Sequence, residues 1–219
     1  TARMILYHGT STQFLPRILK EGLLPREVTR MASHWEGDVE SKPDLVYLTT
    51  AYPVYFAIQA CEEPYNPVVL QVSVSMKSLY PDEDFLAQML SIQENRALPL
   101  RSYNPMVNPK LNKHLAKDCL ECNGIVAISR VLPKQIKAHV ILESNWKLMC
   151  IGGDSMPIPA NYGALGELYR NCTAALFAGG VDAAMEVVAK RRSIFDELIK
   201  LPDTPENKDR IAELWRAYG

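Results

Sequence analysis

The residues best suited to chemistry come early in the chain, at Tyr7-His8-Gly9-Thr10-Ser11. They close a strand-like run, Ile5-Leu6, so an imidazole, a glycine and two hydroxyls gather at one strand tip. The imidazole can donate or accept a hydrogen bond. The glycine lets a ligand approach the backbone closely. Thr10 and Ser11 can bind polar groups of a ligand or cap the helix that follows. The same residues also read as a strand, a turn and an N-cap, with His8 satisfied inside the fold.

The elements around this tip read as a mixed body followed by helices. Met4–Tyr7 is the first strand. Phe14–Leu23 is a short helix with Leu15, Ile18 and Leu19 at helical spacing, Pro16 in its first turn and Gly22 as its stop. Arg26–Asp44 is a polar loop carrying His34, Trp35 and Gly37, long enough to suggest function. A β-branched and aromatic strand, Leu45–Thr50, leads to a short helix, Pro53–Cys61, with Tyr55 and Phe56. Pro67–Val74 is a third strand. Asp82-Glu83-Asp84 reads as the first turn of a helix running to about Gln93, where acids suit the macrodipole. Arg101–Asn112, with Tyr103, is loop, and His114–Cys119 a short helical turn. Gly124–Ser129 and Ala138–Glu143 are the last strands.

From Ser144 the character changes. Gly152-Gly153-Asp154 and Pro157-Ile158-Pro159 look like a linker. Tyr162–Ala178 ends at Gly179-Gly180, Val181–Lys200 shows one apolar face, and Thr204-Pro205 opens Glu206–Tyr218 as N-cap and N1. The expected organisation is an α+β domain over residues 1–150 and a helical C-terminal extension over 151–219, packing on the domain or binding a partner.

Composition narrows the function classes. The chain of 219 residues is 47% hydrophobic and 22% charged, enough to bury a core. A net charge of −1 argues against nonspecific electrostatic binding of nucleic acid, though not against nucleic acid held in a local basic groove. There is no unbroken apolar run of about 18 residues and no secretory signal pattern, so a cytoplasmic protein with no membrane partner is expected. Cys61, Cys119, Cys122, Cys150 and Cys172 do not read as a disulfide framework. Cys119-Leu120-Glu121-Cys122 is a CxxC with only His114 and His139 nearby, so reduced thiols are expected and no metal.

Tyr7-His8-Gly9-Thr10-Ser11, the helix closing on Ile18-Leu19-Lys20-Glu21-Gly22-Leu23, the strand Val46-Tyr47-Leu48-Thr49-Thr50 and the helix with Tyr55-Phe56-Ala57 follow one another in a suggestive order. That order resembles the ADP-ribosyltransferase superfamily, on the side of the poly(ADP-ribose) polymerases and diphtheria-like toxins with a His-Tyr-Glu triad. The resemblance spans roughly residues 5–143. It implies a split, mostly antiparallel β-core gripping NAD in a cleft between two small sheets. The Rossmann glycine fingerprint is absent.

The resemblance also implies roles. His8 would hydrogen-bond the adenosine ribose of NAD. Gly9 would offer its backbone to the nicotinamide carboxamide. Tyr47 would line the nicotinamide pocket, and Tyr55 would stack on that ring. Thr10, Ser11 and Thr49 would complete the cofactor-binding set, the first two at ribose or phosphate. Arg3, Arg17, Arg26 and Arg30 would steer phosphates or form an ordinary solvated face. Trp35 would stack a base or fold its loop onto the core. The family's acid stands at the start of a late strand, where Gly124–Ser129 has none. Glu121, just ahead, is the expected third catalytic residue with His8 and Tyr47; Asp82, Glu83 and Asp84 are its rivals.

The activity implied is transfer of ADP-ribose from NAD to a protein, RNA or DNA acceptor with release of nicotinamide. Small transferases of this kind resemble toxins and antiphage effectors, and the helical extension would suit an antitoxin or regulatory partner. Two other readings stay open. One is a degenerate module that binds NAD or ADP-ribose without turnover. The other is an RNA 2′-phosphotransferase, which shares the His-Gly-Thr opening but has a later signature rich in Arg and His.

Overall fold

The computed structural model describes residues 3–32, 40–94, 107–143 and 164–218. His34, Trp35, Gly37, Tyr103, Cys150 and the linker-like stretch after Ser144 fall outside these residues, as does the expected boundary at 150. The fold is α+β. Its strands are β1 (Arg3–Ser11), β2 (Val46–Thr49), β3 (Pro67–Ser75), β4 (Leu79–Pro81), β5 (Ile125–Ile128) and β6 (Ile136–Ile141). They form one antiparallel sheet in the order β4-β5-β2-β1-β3-β6. The helices are α1 (Leu15–Glu21), α2 (Arg26–Thr29), α3 (Pro53–Gln59), α4 (Glu83–Glu94), α5 (Ala116–Cys122), α6 (Ala164–Leu198) and α7 (Lys208–Tyr218).

The spine is the pair β1–β3, in register from Arg3↔Ser75 to Ser11↔Pro67. On its other edge β1 meets β2 at Tyr7↔Thr49 alone. The sheet is therefore continuous, where the sequence suggested two small sheets, but it is narrowest between β1 and β2. Beyond Tyr7 the tip of β1 runs free of β2, and a cleft opens there. β4 was not expected. Three residues ending in proline carry no strand signal, and the proline is accepted because β4 is an edge strand.

One core lies between the sheet and α1, α4 and α5, with Leu6, Leu48, Leu70, Val72 and Val126 packed against Leu15, Phe85, Leu86, Cys119 and Leu120. Gly22 ends α1 at φ 87°, and a Cβ there would lie 2.0 Å from the Val131 carbonyl oxygen. That closeness lets Leu23 and Val131 exchange both backbone hydrogen bonds, each 2.9 Å, so α1 is fastened to the turn between β5 and β6.

A second core joins the C-terminal helices to the sheet. Leu176 and Ala184 of α6 are buried with Ala57, Val69 and Leu142, and the Tyr7 and Phe177 rings lie 5.3 Å apart. Gly180, at φ 80° and ψ −169°, breaks α6 where Gly179-Gly180 suggested an end. α7 then packs back on α6, with Leu214 buried and Arg210 paired to Glu197. Tyr169–Leu198 is long and apolar enough by length and composition to cross a membrane, although charged residues interrupt its apolar run. This segment is interrupted at Gly180 and buries Leu176 and Ala184 against the sheet.

Candidate functional site

A cavity of about 350 Å³ opens where β1 and β2 part. Its polar lining includes His8, Gly9 and Thr10 of β1, Tyr47 and Thr49 of β2, and Asp82-Glu83-Asp84 at the start of α4. Phe14, Ile18, Leu23 and Leu45 add apolar walls, and Arg17 and Arg26 also line it. The volume is at the lower end of the ~300–1,000 Å³ usual for small-molecule sites.

His8 straps the two strands together just where their backbone pairing ends. Its Nδ1 lies 2.8 Å from the Tyr47 carbonyl oxygen. A carbonyl only accepts, so Nδ1 carries the hydrogen and the Nε2 of the neutral ring is an acceptor. Burial lowers the imidazole pKa below its usual 6.5, and the bond to Tyr47 opposes this only in part. The ring is therefore neutral at pH 7.

Tyr47 contributes its side chain as well. Its hydroxyl accepts the Lys42 backbone N–H at 2.7 Å and lies 2.7 Å from both carboxylate oxygens of Glu83, to which it donates. Burial, then the charge of Glu83, raises the phenol pKa far above its usual value, so Tyr47 keeps its proton. Glu83 is 1% exposed. Burial pushes its carboxyl up to about 7, and the hydrogen bond from Tyr47 works in the other direction.

The acidic triplet divides its labour. Pro81 ends β4 extended, and Asp82 caps α4: its carboxyl accepts the backbone N–H groups of Phe85 and Asp84, and its carbonyl accepts that of Leu86 at 3.2 Å. Burial, then the charges of Glu83 and Asp84, holds the Asp82 carboxyl well above the usual range. Glu83, in the first turn, reaches Tyr47. Tyr80, Ala127 and Tyr47 lie in one row across β4, β5 and β2, so the contact between Glu83 and Tyr47 joins the residues after β4 to a strand beyond β5.

Of the acids weighed in the sequence, Glu83, a rival of Glu121, meets Tyr47 in the cavity, and Glu121 does not. The helix α5 runs to Cys122 and β5 begins only at Ile125, so the strand does not start early enough to carry Glu121 inward. Glu121 is exposed, 3.5 Å from Lys117, and does not line the cavity. Tyr55 is also displaced. Phe56, its neighbour on α3, lines the cavity, and the two rings meet edge-on at 5.3 Å. Ser11 is buried outside the lining. Thr49 borders the cavity, but its hydroxyl donates to the Gly124 carbonyl at 2.8 Å and accepts the N–H groups of Ala51 and Tyr52 at 3.1 Å, which makes it a brace for the turn into α3. Gly9 lines the cavity, yet its missing side chain serves α3: a Cβ would lie 2.2 Å from the Ala57 nitrogen and 2.4 Å from the Pro53 oxygen.

Of the arginines, Arg17 and Arg26 border the cavity and Arg3 and Arg30 do not. Arg17 pairs with Glu21 at 2.8 Å, and Arg26 donates to Ser41, 2.6 Å to the carbonyl and 3.1 Å to the hydroxyl. His114 is exposed on the surface. Among the described residues no group of three or more His, Cys, Asp or Glu is arranged to hold a metal ion. No protein-family model matches the chain, and no curated protein matches it.

Proposed function

We propose that the chain is an NAD-consuming ADP-ribosyltransferase in which His8, Tyr47 and Glu83 fill the three roles of a His-Tyr-Glu site. The observation that carries this reading is the hydrogen-bonded run from His8 to the Tyr47 backbone and from the Tyr47 hydroxyl to Glu83, inside one cavity. The order of motifs along the chain supports it.

In this reading the neutral Nε2 of His8 accepts a hydroxyl hydrogen from the adenosine ribose. Tyr47 and Phe56 form the walls of the nicotinamide pocket, and the backbone of Gly9 faces the carboxamide. The Glu83 carboxylate lies by the nicotinamide ribose. The bond from C1′ to the nicotinamide nitrogen breaks and its electron pair leaves with the nicotinamide, while a nucleophile of the acceptor bonds to C1′. The fixed carboxylate stabilises the positive charge that develops on the ribose, and it takes the proton that the acceptor loses. A carboxyl near 7 holds both forms at neutral pH, as a group that must be anionic and then accept a proton requires.

Without an acid in the late strand, a module that binds NAD without turnover was a fair alternative. The Glu83 carboxylate at Tyr47 favours the enzyme over that module. The acceptor class, protein, RNA or DNA, is found by incubating the protein with labelled NAD and whole-cell fractions of each. Label in one fraction and free nicotinamide in solution are expected, and both vanish with His8→Ala. Undiminished NAD consumption by His8→Ala and Glu83→Gln would show that the cleft is wrongly assigned.

A further inference from the structure

We propose that Cys119 is a positioning residue, the link that holds the start of α4 so that the Glu83 carboxylate meets Tyr47. Its thiol is buried and used in two directions. It accepts the Asp82 backbone N–H at 3.2 Å and donates to the Ile125 carbonyl at 3.0 Å. Asp82 in turn caps the helix whose first turn carries Glu83.

These bonds close a ring that begins and ends on β2. The Thr49 hydroxyl and the Thr50 N–H both bind the Gly124 carbonyl, at 2.8 and 2.9 Å, which ties β2 to the end of α5. The next residue, Ile125, accepts from Cys119, and Cys119 holds Asp82. Glu83 follows Asp82 and returns to β2 through the Tyr47 hydroxyl. Three separate elements, β2, α5 and α4, are thereby fixed relative to one another, and Cys119 is the side chain that joins the last two in this ring. A thiol suits the place. Sulfur accepts at a longer distance than a hydroxyl oxygen, and Cys119 is itself fully buried within the core that seats α4. Burial raises its pKa, so it stays a protonated donor.

The charged and titratable groups around Glu83 are Asp82 and Asp84 on its own helix, Tyr47 on β2, Lys42 on the preceding loop and Cys119 on α5. Removing the sulfur leaves the Asp82 N–H buried and unpaired, and the helix start must shift or admit water to recover a partner. Because burial is what raises the Glu83 carboxyl, admitting water lowers it again.

The mechanism in which Glu83 acts is the one proposed above, but the test does not depend on it. The Glu83 carboxyl is titrated by carbon-13 NMR in protein labelled at glutamate Cδ, with the signal assigned by Glu83→Gln. In Cys119→Val, which keeps an apolar side chain and loses the polar atom, the midpoint is expected to fall by about one pH unit or more. In Cys119→Ser, which keeps a donor and an acceptor, it stays near the native value. Cys119→Ala removes the same sulfur with a smaller side chain and is expected to act like Cys119→Val, which keeps the test decisive if the valine variant does not fold. A folded Cys119→Val or Cys119→Ala protein with the native Glu83 midpoint overturns the proposal. NAD turnover is scored separately: a native protein that releases no nicotinamide sinks the transferase reading and leaves the titration result standing.

Discussion

The Tyr47 hydroxyl lies 2.7 Å from each carboxylate oxygen of Glu83, and Glu83 lies 36 residues further along the chain. The phenol keeps its proton and the carboxyl titrates near neutrality, so this contact is a charge-assisted hydrogen bond when Glu83 is ionised. The arrangement makes Glu83 the group whose charge state the site controls. Replacing it by glutamine keeps the shape and the hydrogen-bonding oxygen but removes the negative charge. Glu83→Gln is expected to lower NAD consumption by about 10²–10³, the cost typical of losing one electrostatic contact to a transition state. Glu121→Gln, on the exposed face of α5, is expected to leave the rate unchanged. Nicotinamide release by both variants, side by side, checks the assignment.

The raised carboxyl also makes stability depend on pH. The Glu83 pKa lies near 7 when folded and at about 4.5 when the chain is unfolded. Between those values the folded state binds more protons than the unfolded one, so stability is highest below about 4.5 and is lost as pH rises through 7. The loss from this group is on the order of 3 kcal/mol at most. Asp82 is shifted in the same direction and adds to the trend. Thermal melts of the native protein are expected to decline between pH 5 and about 7.5, and Glu83→Gln to flatten much of that slope. Activity should run the other way, rising through about pH 7 as Glu83 ionises while His8 stays neutral. Equal pH slopes for the native and Glu83→Gln proteins would falsify the buried-acid assignment.

Gly9→Ala separates two reasons for a glycine at the strand tip. The added methyl would stand 2.2 Å from the Ala57 nitrogen and 2.4 Å from the Pro53 oxygen, both backbone atoms that no rotamer change can move. The expected outcome is a destabilisation of about 3 kcal/mol or more, at the upper end for overpacked sites, seen as a large fall in denaturation midpoint. A glycine needed only for ligand approach would give a normally stable protein with weakened binding.

The aromatic walls give a third contrast. Phe56 faces the cavity and Tyr55 packs edge-on beside it. Phe56→Ala is expected to weaken NAD binding by up to about tenfold, the equivalent of ~1.4 kcal/mol for one aromatic contact. Tyr55→Ala should leave the dissociation constant within about twofold. Calorimetric titration with NAD checks both, and the reverse ranking would restore Tyr55 as the stacking residue.

Much of this site was legible because its signals are local. His8 and Gly9 end an apolar run, Gly22 stops a short helix, and Tyr47 lies in a β-branched strand. Each identifies itself within a few neighbours. Glu83 does not. An acidic triplet after a proline has the composition of a helix start, and Asp82 does cap α4, so the local reading was correct for one residue and concealed the next. Which acid turns inward is set after β4, an edge strand of three residues ending in proline, by a partner, Tyr47, that lies two strands away. Glu121 illustrates the converse. Its nearness to the late strand in sequence suggested the cleft, but α5 extends through Cys122 and leaves it in solvent. Tyr55 and Phe56 differ by one helical position, about 100° of rotation, which no pattern in so short a helix fixes.

The C-terminal helices make a further prediction about stability. α6 covers the face of the sheet opposite the main core, where Val69 and Leu142 are fully buried together with Leu176. Leu176 is 1% exposed, and truncating it opens a cavity against strands that also carry the tip of the candidate site. Leu176→Ala is expected to cost about 2–5 kcal/mol, the range for buried leucines. Trp215 on α7 is 54% exposed, and Trp215→Ala should lose far less of the folding energy. Chemical denaturation of the two variants measures the difference directly. A large loss for Leu176 means that the helices complete the β-domain, so that removing residues 164–218 strips the cover from Val69 and Leu142. Near-equal, small losses for both variants would mean that the sheet stands without them.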